Sequence, residues 1–163
     1  MRTSRCILVA AILACAGCAG YSTESLIDPK YKTVYVQTFD NRSFYRGFEQ
    51  SLTRELINKI NSRTTLRIAP KDRADTIITG LISSFQQYVL TEDANDNVRE
   101  LQVTLTVDMT WTDRRTGRPI AAVRNMAVSD QIKFDIGQTL DSTTPKLFQD
   151  AAERLVDHLE KPW

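Results

Sequence analysis

A run of strictly alternating apolar and polar residues, from Leu101 to Trp111, is the strongest constraint on the fold of this chain. Alternation with a period of two indicates a half-buried β-strand, because successive side chains point to opposite faces of a sheet. Other parts of the chain must therefore cover one face of this strand, and the other face is left for water or for a partner. The apolar face consists of Leu101, Val103, Leu105, Val107, Met109 and Trp111, and the polar face of Gln102, Thr104, Thr106, Asp108 and Thr110.

Two segments with helical spacing can supply this cover. The first follows a turn at residues 40–43, in which Ser43 is a predicted N-cap. The second begins at Thr144 and Pro145, which predict the N-cap and first position of a helix. Both stripes are interpreted as core. The first stripe consists of Phe44, Phe48, Leu52, Leu56 and Ile60 with Ile57 beside them, and the second of Leu147, Phe148, Ala151, Ala152, Leu155, Val156 and Leu159.

Three further extended segments complete a predicted element order of β-α-β-β-β-α. They are residues 33–39, residues 74–85 with a continuation towards 90, and residues 120–129 with a continuation towards 134, while 135–143 is irregular. The first two strands can form a right-handed parallel crossover, and the last three a meander. The predicted fold class is α+β: a two-layer sandwich with a four-stranded, mostly antiparallel (mixed) sheet and two helices on one face.

The composition is that of a single soluble domain. The chain has 163 residues, 42% hydrophobic and 25% charged, which is enough for one domain with a core and too few for two comfortable ones. Its formal net charge is +1. Because nucleic-acid binding requires a clear basic excess, we expect no nucleic-acid partner.

The beginning of the chain has the pattern of an export signal. A basic start with Arg2 and Arg5 precedes a short apolar run and a small-residue end. The apolar run is too short to span a bilayer, which requires about twenty residues. We predict a signal peptide at residues 1–17, a lipidated N-terminus with a tether at 18–32, and one domain at 33–163.

A cysteine at the end of this signal predicts lipid anchoring. In bacterial lipoproteins, a few small residues precede a cysteine that is acylated and becomes the new N-terminus. Cys18 and Cys15 both fit this pattern in part, and Cys18 is favoured because cleavage before it leaves a fuller apolar run. The third cysteine, Cys6, also lies in the signal, so we expect no disulfide in the mature domain.

No constellation of residues in the mature chain predicts catalysis or a cofactor. The single histidine, His158, is interpreted as a solvated residue of the last helix. We find no nucleophile–base motif, phosphate-binding glycine loop or zinc spacing. The acidic segment 91–99 lacks the glycine and closing glutamate of a calcium loop, so it is interpreted as a solvated hairpin loop. We expect no catalytic residue, no metal and no cofactor.

The turn after the alternating strand 101–111 is the best candidate for specific polar contacts. Arg114, Arg115 and Arg118 lie together in it, at one tip of the predicted sheet. Guanidinium groups bind phosphate through paired hydrogen bonds, so a phosphorylated glycolipid headgroup at an outer membrane is a natural target. The alternative is a solvated turn whose charges oppose the pairing of strand edges.

Several segments of the mature chain form a distinctive combination. They are Cys18 with Gly20–Ser22, Val34–Val36, Phe39–Glu49 and Arg73–Gly80. Together they resemble the LptE family of lipopolysaccharide-assembly lipoproteins, and the resemblance covers most of the mature chain. Ala19 and Cys15 depart from the family pattern, which affects the choice of lipidated cysteine more than the choice of family.

The resemblance implies a two-helix, four-strand sandwich that is lipid-anchored at the periplasmic face of the cell outer membrane. It implies a plug inside the large β-barrel LptD, which aids assembly of the barrel and delivery of lipopolysaccharide to the cell surface. It also implies no enzymatic activity. Basic residues at a strand-loop tip contact the glycolipid in this family, and Arg114, Arg115 and Arg118 are assigned that role from their position here.

Two other functions are compatible with the residues. The first is a lipoprotein that activates a periplasmic cell-wall synthase by protein contact, for which a long disordered tether would be expected. The predicted tether, residues 19–32, is short and keeps the domain at the membrane. The second is a soluble secreted binding domain, which requires that Cys18 is not acylated.

Overall fold

The computed structural model of the protein describes residues 27–94, 97–134 and 144–160. The predicted signal peptide, Cys15 and Cys18, and the segment 135–143 lie outside the described residues. The helices and strands, in chain order, are β1 (Thr33–Val36), β2 (Asp40–Asn41), α1 (Phe48–Arg63), β3 (Arg67–Ile68), β4 (Thr76–Glu92), β5 (Val98–Asp113), β6 (Pro119–Lys133) and α2 (Pro145–Asp157).

The strands form one mixed sheet in the order β3-β1-β4-β5-β6, with β2 also paired to β4. Strand β1 is parallel to β4, which confirms the predicted parallel connection through α1. Strands β4, β5 and β6 pair antiparallel, as the predicted meander requires. The α+β class is therefore confirmed. The described sheet has six strands rather than the predicted four, because β2 and β3 are two residues each, a length too short to leave a periodic signal in the sequence.

The apolar face of β5 is buried along the whole alternating run. From Leu101 to Trp111, no odd-numbered side chain is more than 8% exposed. Both helices contribute to the same continuous core. Helix α2 begins at Pro145 after Thr144, as predicted, although Thr144 forms no side-chain capping hydrogen bond. The buried helix residues include Phe48, Leu52, Leu56 and Ile60 of α1, and Leu147, Phe148, Ala151, Ala152, Leu155 and Val156 of α2.

Helix α1 begins one turn later than the sequence predicted. Gly47, in the left-handed region with φ of 87°, precedes the first helical residue, Phe48. Ser43 is therefore not the N-cap, and its N–H and hydroxyl instead donate to Asn41 Oδ1 at 2.8 and 2.7 Å. Phe44 was predicted to begin the buried stripe, and this prediction is wrong, because its side chain is fully exposed.

A bulge in β4 changes the face on which an aromatic side chain lies. Simple alternation places Phe85 on the face of Leu81, away from the helices. The register with β5 shifts between Ile82 and Ser84, so Phe85 moves to the helix side of the sheet. Its ring centroid is 5.0 Å from that of Phe48, in an edge-to-face arrangement. The bulge thus adds an aromatic contact beneath the start of α1.

Strand β6 forms one edge of the described sheet and is interrupted near its middle. Asn125 has φ of 52° at a register shift against β5, and its N–H donates to Asp108 Oδ1 at 2.6 Å. Farther along β6, the Ala127 carbonyl accepts a hydrogen bond from Arg154 of α2 at 3.3 Å. A backbone kink and a basic side chain therefore both act on this edge.

Gly80 in β4 leaves the space that one aromatic ring occupies. A Cβ at this position would overlap three ring atoms of Phe39, whose side chain is only 2% exposed. The Phe39 N–H in turn donates to Thr53 Oγ1 of α1 at 3.1 Å. Gly80 is therefore required for close packing between β4 and the segment that follows β1.

We predict that Gly80→Ala lowers the free energy of unfolding by about 1–3 kcal/mol, because overpacking against a buried ring forces side chains or backbone to move. Urea unfolding followed by tryptophan fluorescence measures this change. In the double variant with Phe39→Ala, the clash is removed, so the combined loss should be smaller than the sum of the single losses. Strictly additive losses would contradict the assignment.

Candidate functional site

The connection between β5 and β6 is a closed turn that carries the three predicted arginines. The Asp113 N–H donates to the Arg118 carbonyl at 2.9 Å, and the Gly117 N–H donates to the Asp113 carbonyl at 2.8 Å. Asp113 Oδ1 also accepts the N–H groups of Thr116 and Arg115, each at 2.9 Å. These bonds, with that from Thr116 the largest cause, hold the pKa of Asp113 below its usual value.

One of the three arginines is used by the fold itself. The backbone N–H of Arg114 donates to the Asp75 carbonyl at 3.0 Å, and its Nε donates to the Ala74 carbonyl at 2.5 Å. Both acceptors lie directly before β4. Arg114 therefore connects the turn to the start of β4, and its guanidinium is only partly available to a ligand.

Arg115 and Arg118 are in a different situation. Both side chains are exposed, and neither makes a hydrogen bond or ion pair with any residue that the structure describes. The turn backbone is held in place by its own hydrogen bonds, so the two guanidinium groups are presented from a fixed support. This arrangement suits binding of an anion such as phosphate.

All three arginines line a cleft of about 1020 Å³ at this end of the sheet. Its apolar wall contains Tyr31 and Trp111, whose ring centroids are 5.6 Å apart at an interplanar angle of 64°. The buried Trp111 Nε1 has no hydrogen-bond partner within the described part of the chain. Other lining residues are Asp28, Lys30, Asp75, Asp113, His158 and Glu160.

Sequence reasoning identified the arginines of this cleft and missed its other walls. His158 was interpreted as a solvated helix residue, and it is exposed, but it lies one position after α2 and lines the cleft. Tyr31 was assigned only to the tether. Tyr31 lies two residues before β1, outside any periodic segment, so its contact with Trp111 was not predictable from the sequence pattern.

Asp75 joins this end of β4 to the start of β1. Its Oδ2 accepts hydrogen bonds from the Thr33 hydroxyl at 2.8 Å and from the N–H groups of Thr33 and Lys32, each at 3.0 Å. These bonds, with that from the Thr33 hydroxyl the largest cause, hold the pKa of Asp75 below its usual value of 3.8. The carboxylate thereby fixes the backbone that leads into the cleft.

We predict that Asp75→Asn lowers the free energy of unfolding at neutral pH by less than about 1 kcal/mol, because charge-assisted hydrogen bonds are replaced by neutral ones at a site that solvent screens. A depressed folded-state pKa stabilises the fold above the unfolded-state pKa, and this contribution is lost as pH falls through the folded-state value. The difference between wild type and variant should therefore be constant near pH 7 and shrink below pH 3.8. Urea unfolding across pH measures it, and a pH-independent difference would contradict the assignment.

The three arginines should respond differently to mutation. We predict that Arg114→Ala lowers the free energy of unfolding by about 1–2 kcal/mol, because the Ala74 carbonyl loses its side-chain donor. Arg115→Ala and Arg118→Ala are surface changes and should alter it by less than about 0.5 kcal/mol. Urea unfolding of the three variants tests this division, and equal losses for all three would show that it is wrong.

A second candidate surface is the face of the sheet opposite the helices. The polar side chains of β5 lie on it and remain partly exposed, in contrast to the buried face. Thr104 and Ser129 share a hydroxyl hydrogen bond of 2.9 Å across β5 and β6. We call this surface the open face. Its polar members include Thr79, Ser84, Gln86, Gln102, Thr104, Thr106, Thr110 and Ser129, which the strand register aligns.

The described residues contain neither a cluster of metal-ligating side chains nor a helix that could span a membrane. Across residues 27–94, 97–134 and 144–160, no group of three or more His, Cys, Asp or Glu side chains is placed to hold a metal ion. In the same residues, no helix combines the length and the apolar character needed to cross a bilayer.

These features define an α+β domain with one covered sheet face, one open polar face and an arginine-lined cleft. A family model described as "LptE: Lipopolysaccharide-assembly" matches residues 31–160. The chain belongs to the LptE family, which confirms the predicted resemblance. A search of curated protein sequences finds no match.

Solved structures with the same fold include proteins described as lipoproteins. The chain is similar to lipoprotein B from Nitrosomonas europaea, with a TM-score of 0.58 and 14% identity over 86% of this chain and 88% of that one. It is also similar to PelC from Paraburkholderia phytofirmans, described as a dodecamer (TM-score 0.51, 13% identity, 85% and 95% covered). A minor lipoprotein from Acinetobacter baumannii gives a TM-score of 0.51 at 12% identity, with 80% and 91% covered. These identities show a shared fold alone.

Proposed function

We propose that this LptE-family protein is a lipoprotein of the cell outer membrane, anchored through Cys18 on the periplasmic face. There it plugs an LptD-type β-barrel, helps the barrel assemble, and assists insertion of lipopolysaccharide at the cell surface. It acts by binding, without catalysis or a cofactor. The family match supports a role in lipopolysaccharide assembly. The open face is the observation that supports the function as a plug.

The open face suits contact with the inside of a large barrel. The lumen of an outer-membrane barrel is polar, so a plug must offer hydrogen-bonding groups rather than apolar side chains. On the open face, Thr110 pairs with Thr79, Thr106 with Ser84, and Thr104 with Gln86 across β4 and β5. Hydroxyl and amide groups both donate and accept hydrogen bonds, which lets one surface match a varied polar wall.

The arginine-lined cleft supplies the contact with lipopolysaccharide in this proposal. Arg115 and Arg118 bind phosphate groups of the glycolipid, since both guanidinium groups are exposed and make no hydrogen bond or ion pair to other described residues. Arg114 holds the turn against the start of β4. Of the three predicted arginines, Arg115 and Arg118 are therefore ligand contacts and Arg114 is a positioning residue.

The plug is tested by introducing a bulky charge on the open face. We predict that Thr104→Arg together with Thr106→Arg reduces the barrel recovered with this protein from detergent-extracted outer membranes by about tenfold, because each added charge loses hydration against the wall. The wild type should bring down one barrel per copy. Asn58→Arg, on the exposed side of α1, is the matched control and should leave recovery unchanged.

Two results would overturn this proposal. One is a cell-wall synthase recovered in equal amount with no barrel present, which would instead support the activator function. The other is barrel recovery that is unaffected by the open-face variants but lost with Asn58→Arg, which would place the contact on the helices.

A further inference from the structure

Phe44 is the most exposed large apolar side chain in the described residues, at 101% of its reference area. It lies in the loop between β2 and α1, at the position where the helical spacing predicted a buried residue. A single exposed apolar residue is ordinary on a protein surface. The loop around this one is held by several side-chain hydrogen bonds.

Asn41 and Glu49 brace this loop from inside. The Asn41 side-chain amide donates to the Tyr45 carbonyl at 2.7 Å and to Glu49 Oε2 at 2.8 Å. Its oxygen accepts the Ser43 N–H and hydroxyl at 2.8 and 2.7 Å. Glu49 Oε1 accepts the Gly47 N–H at 3.2 Å. The backbone on both sides of Phe44 is therefore fixed by polar contacts that Phe44 itself does not share.

The neighbouring Tyr45 fastens the loop to the sheet. Its ring is stacked on Phe48 at a centroid distance of 5.2 Å and meets Phe85 edge-on at 4.8 Å. Its hydroxyl accepts a hydrogen bond from Gln87 in β4. Two residues beyond Gln87 on the same face of the strand, Val89 is 50% exposed. The adjacent aromatic residues Tyr45 and Phe44 thus have different environments: Tyr45 is partly buried and packs against the core, whereas Phe44 is exposed to solvent.

A fixed loop with an aromatic tip is the arrangement expected of a binding anchor. Hot spots of protein interfaces are aromatic or arginine side chains that fill a pocket on the partner. Association is stronger when the loop is already ordered, because less conformational entropy is lost on binding. The bracing by Asn41 and Tyr45 provides that order in the free protein.

The charges around Phe44 indicate the chemistry of the partner. Arg42 and Arg46 are exposed on either side of it, and no described residue pairs with their guanidinium groups. The nearby carboxylate of Glu49 is already engaged with Asn41 and Gly47. Carboxylates on a partner that buries Phe44 would therefore complement the two arginines.

We propose that Phe44 is the anchor by which this domain binds its protein partner, entering an apolar socket rimmed by carboxylates that pair with Arg42 and Arg46. The identification of that partner as an LptD-type barrel rests on the proposed function. A protein is favoured over a lipid surface because membrane-binding segments present a broad apolar face, whereas this loop presents one aromatic side chain.

The test uses the full-length protein in its own membrane, with Phe44 replaced by the photo-crosslinker p-benzoylphenylalanine. After irradiation, the attached peptide is sequenced. Tyr88, another exposed aromatic side chain, lies on the open face opposite Gln102 and is replaced in the same way as a reference. We expect the crosslinker at position 44 to attach to one protein segment that contains several Asp or Glu residues.

Substitutions give the strength of the contact. Phe44→Ala should reduce recovery of the partner about tenfold or more, as loss of an interface hot spot does, while Phe44→Leu should retain much of it. Adding Arg42→Glu and Arg46→Glu to Phe44→Ala should reduce recovery of the partner further. Arg67→Glu on the exposed edge strand β3 is the charge control and should leave recovery unchanged. The urea midpoint of Phe44→Ala should match wild type, because the side chain makes no core contact.

The outcomes separate this inference from the proposed function. Crosslinks from position 44 only to lipid, to a segment without carboxylates, or to nothing would overturn the anchor, even if position 88 crosslinks to the barrel. A crosslink from position 44 to an acidic segment of another protein, with no barrel crosslinked at position 88, would support the anchor and overturn the plug.

Discussion

The burial of one face of β5 is the interaction on which the rest of the structure depends. Its apolar side chains, from Leu101 to Trp111, are nearly or fully removed from water, and each contributes roughly 1.5–3 kcal/mol relative to an exposed position. That burial requires strands on both sides of β5 and helices above it. The crossover through α1 and the return through α2 supply the helices, so the topology follows from the need to cover a single strand face.

Covering only one face leaves the molecule with surfaces of different chemistry. The open face presents hydroxyl and amide groups, and the two ends of the sheet differ from it and from each other. At the arginine end, Asp113 pairs with Thr76 of β4. Gln87, which supports the Phe44 loop, lies eleven residues farther along β4 than Thr76, a distance of about 35 Å. This separation lets the arginine turn and the aromatic anchor engage different groups at the same time.

Elements in which one pattern repeats over many residues were predictable, and local exceptions to the pattern were not. The alternation in β5 and the stripe of α2 identified buried positions correctly because many residues repeat one pattern. Phe44 continued the stripe of α1 by spacing alone, but Gly47 adopts a left-handed conformation and the helix begins only after it, at Phe48. The bulge before Ser84 likewise reversed the face of Phe85, since one inserted residue changes the parity of everything after it.

In the candidate site, too, local features were predictable from the sequence and long-range contacts were not. Three arginines in one turn were visible in the sequence, because residue type and turn chemistry are local properties. Which of the three arginines the fold uses was not visible, since the hydrogen-bond acceptors of Arg114 are the carbonyls of Ala74 and Asp75, about forty residues away along the chain. Long-range hydrogen bonds of this kind depend on strand pairing, and a single sequence carries no direct record of that pairing.

The interruption of β6 affects how readily this edge of the sheet can pair with another chain. An outer strand with unpaired backbone groups can template the addition of a strand from another chain. The kink at Asn125 breaks the straight run of this edge, and Arg154 already occupies the Ala127 carbonyl. The β6 edge is therefore divided into two shorter stretches, which limits the length over which a strand of another chain could pair with this edge.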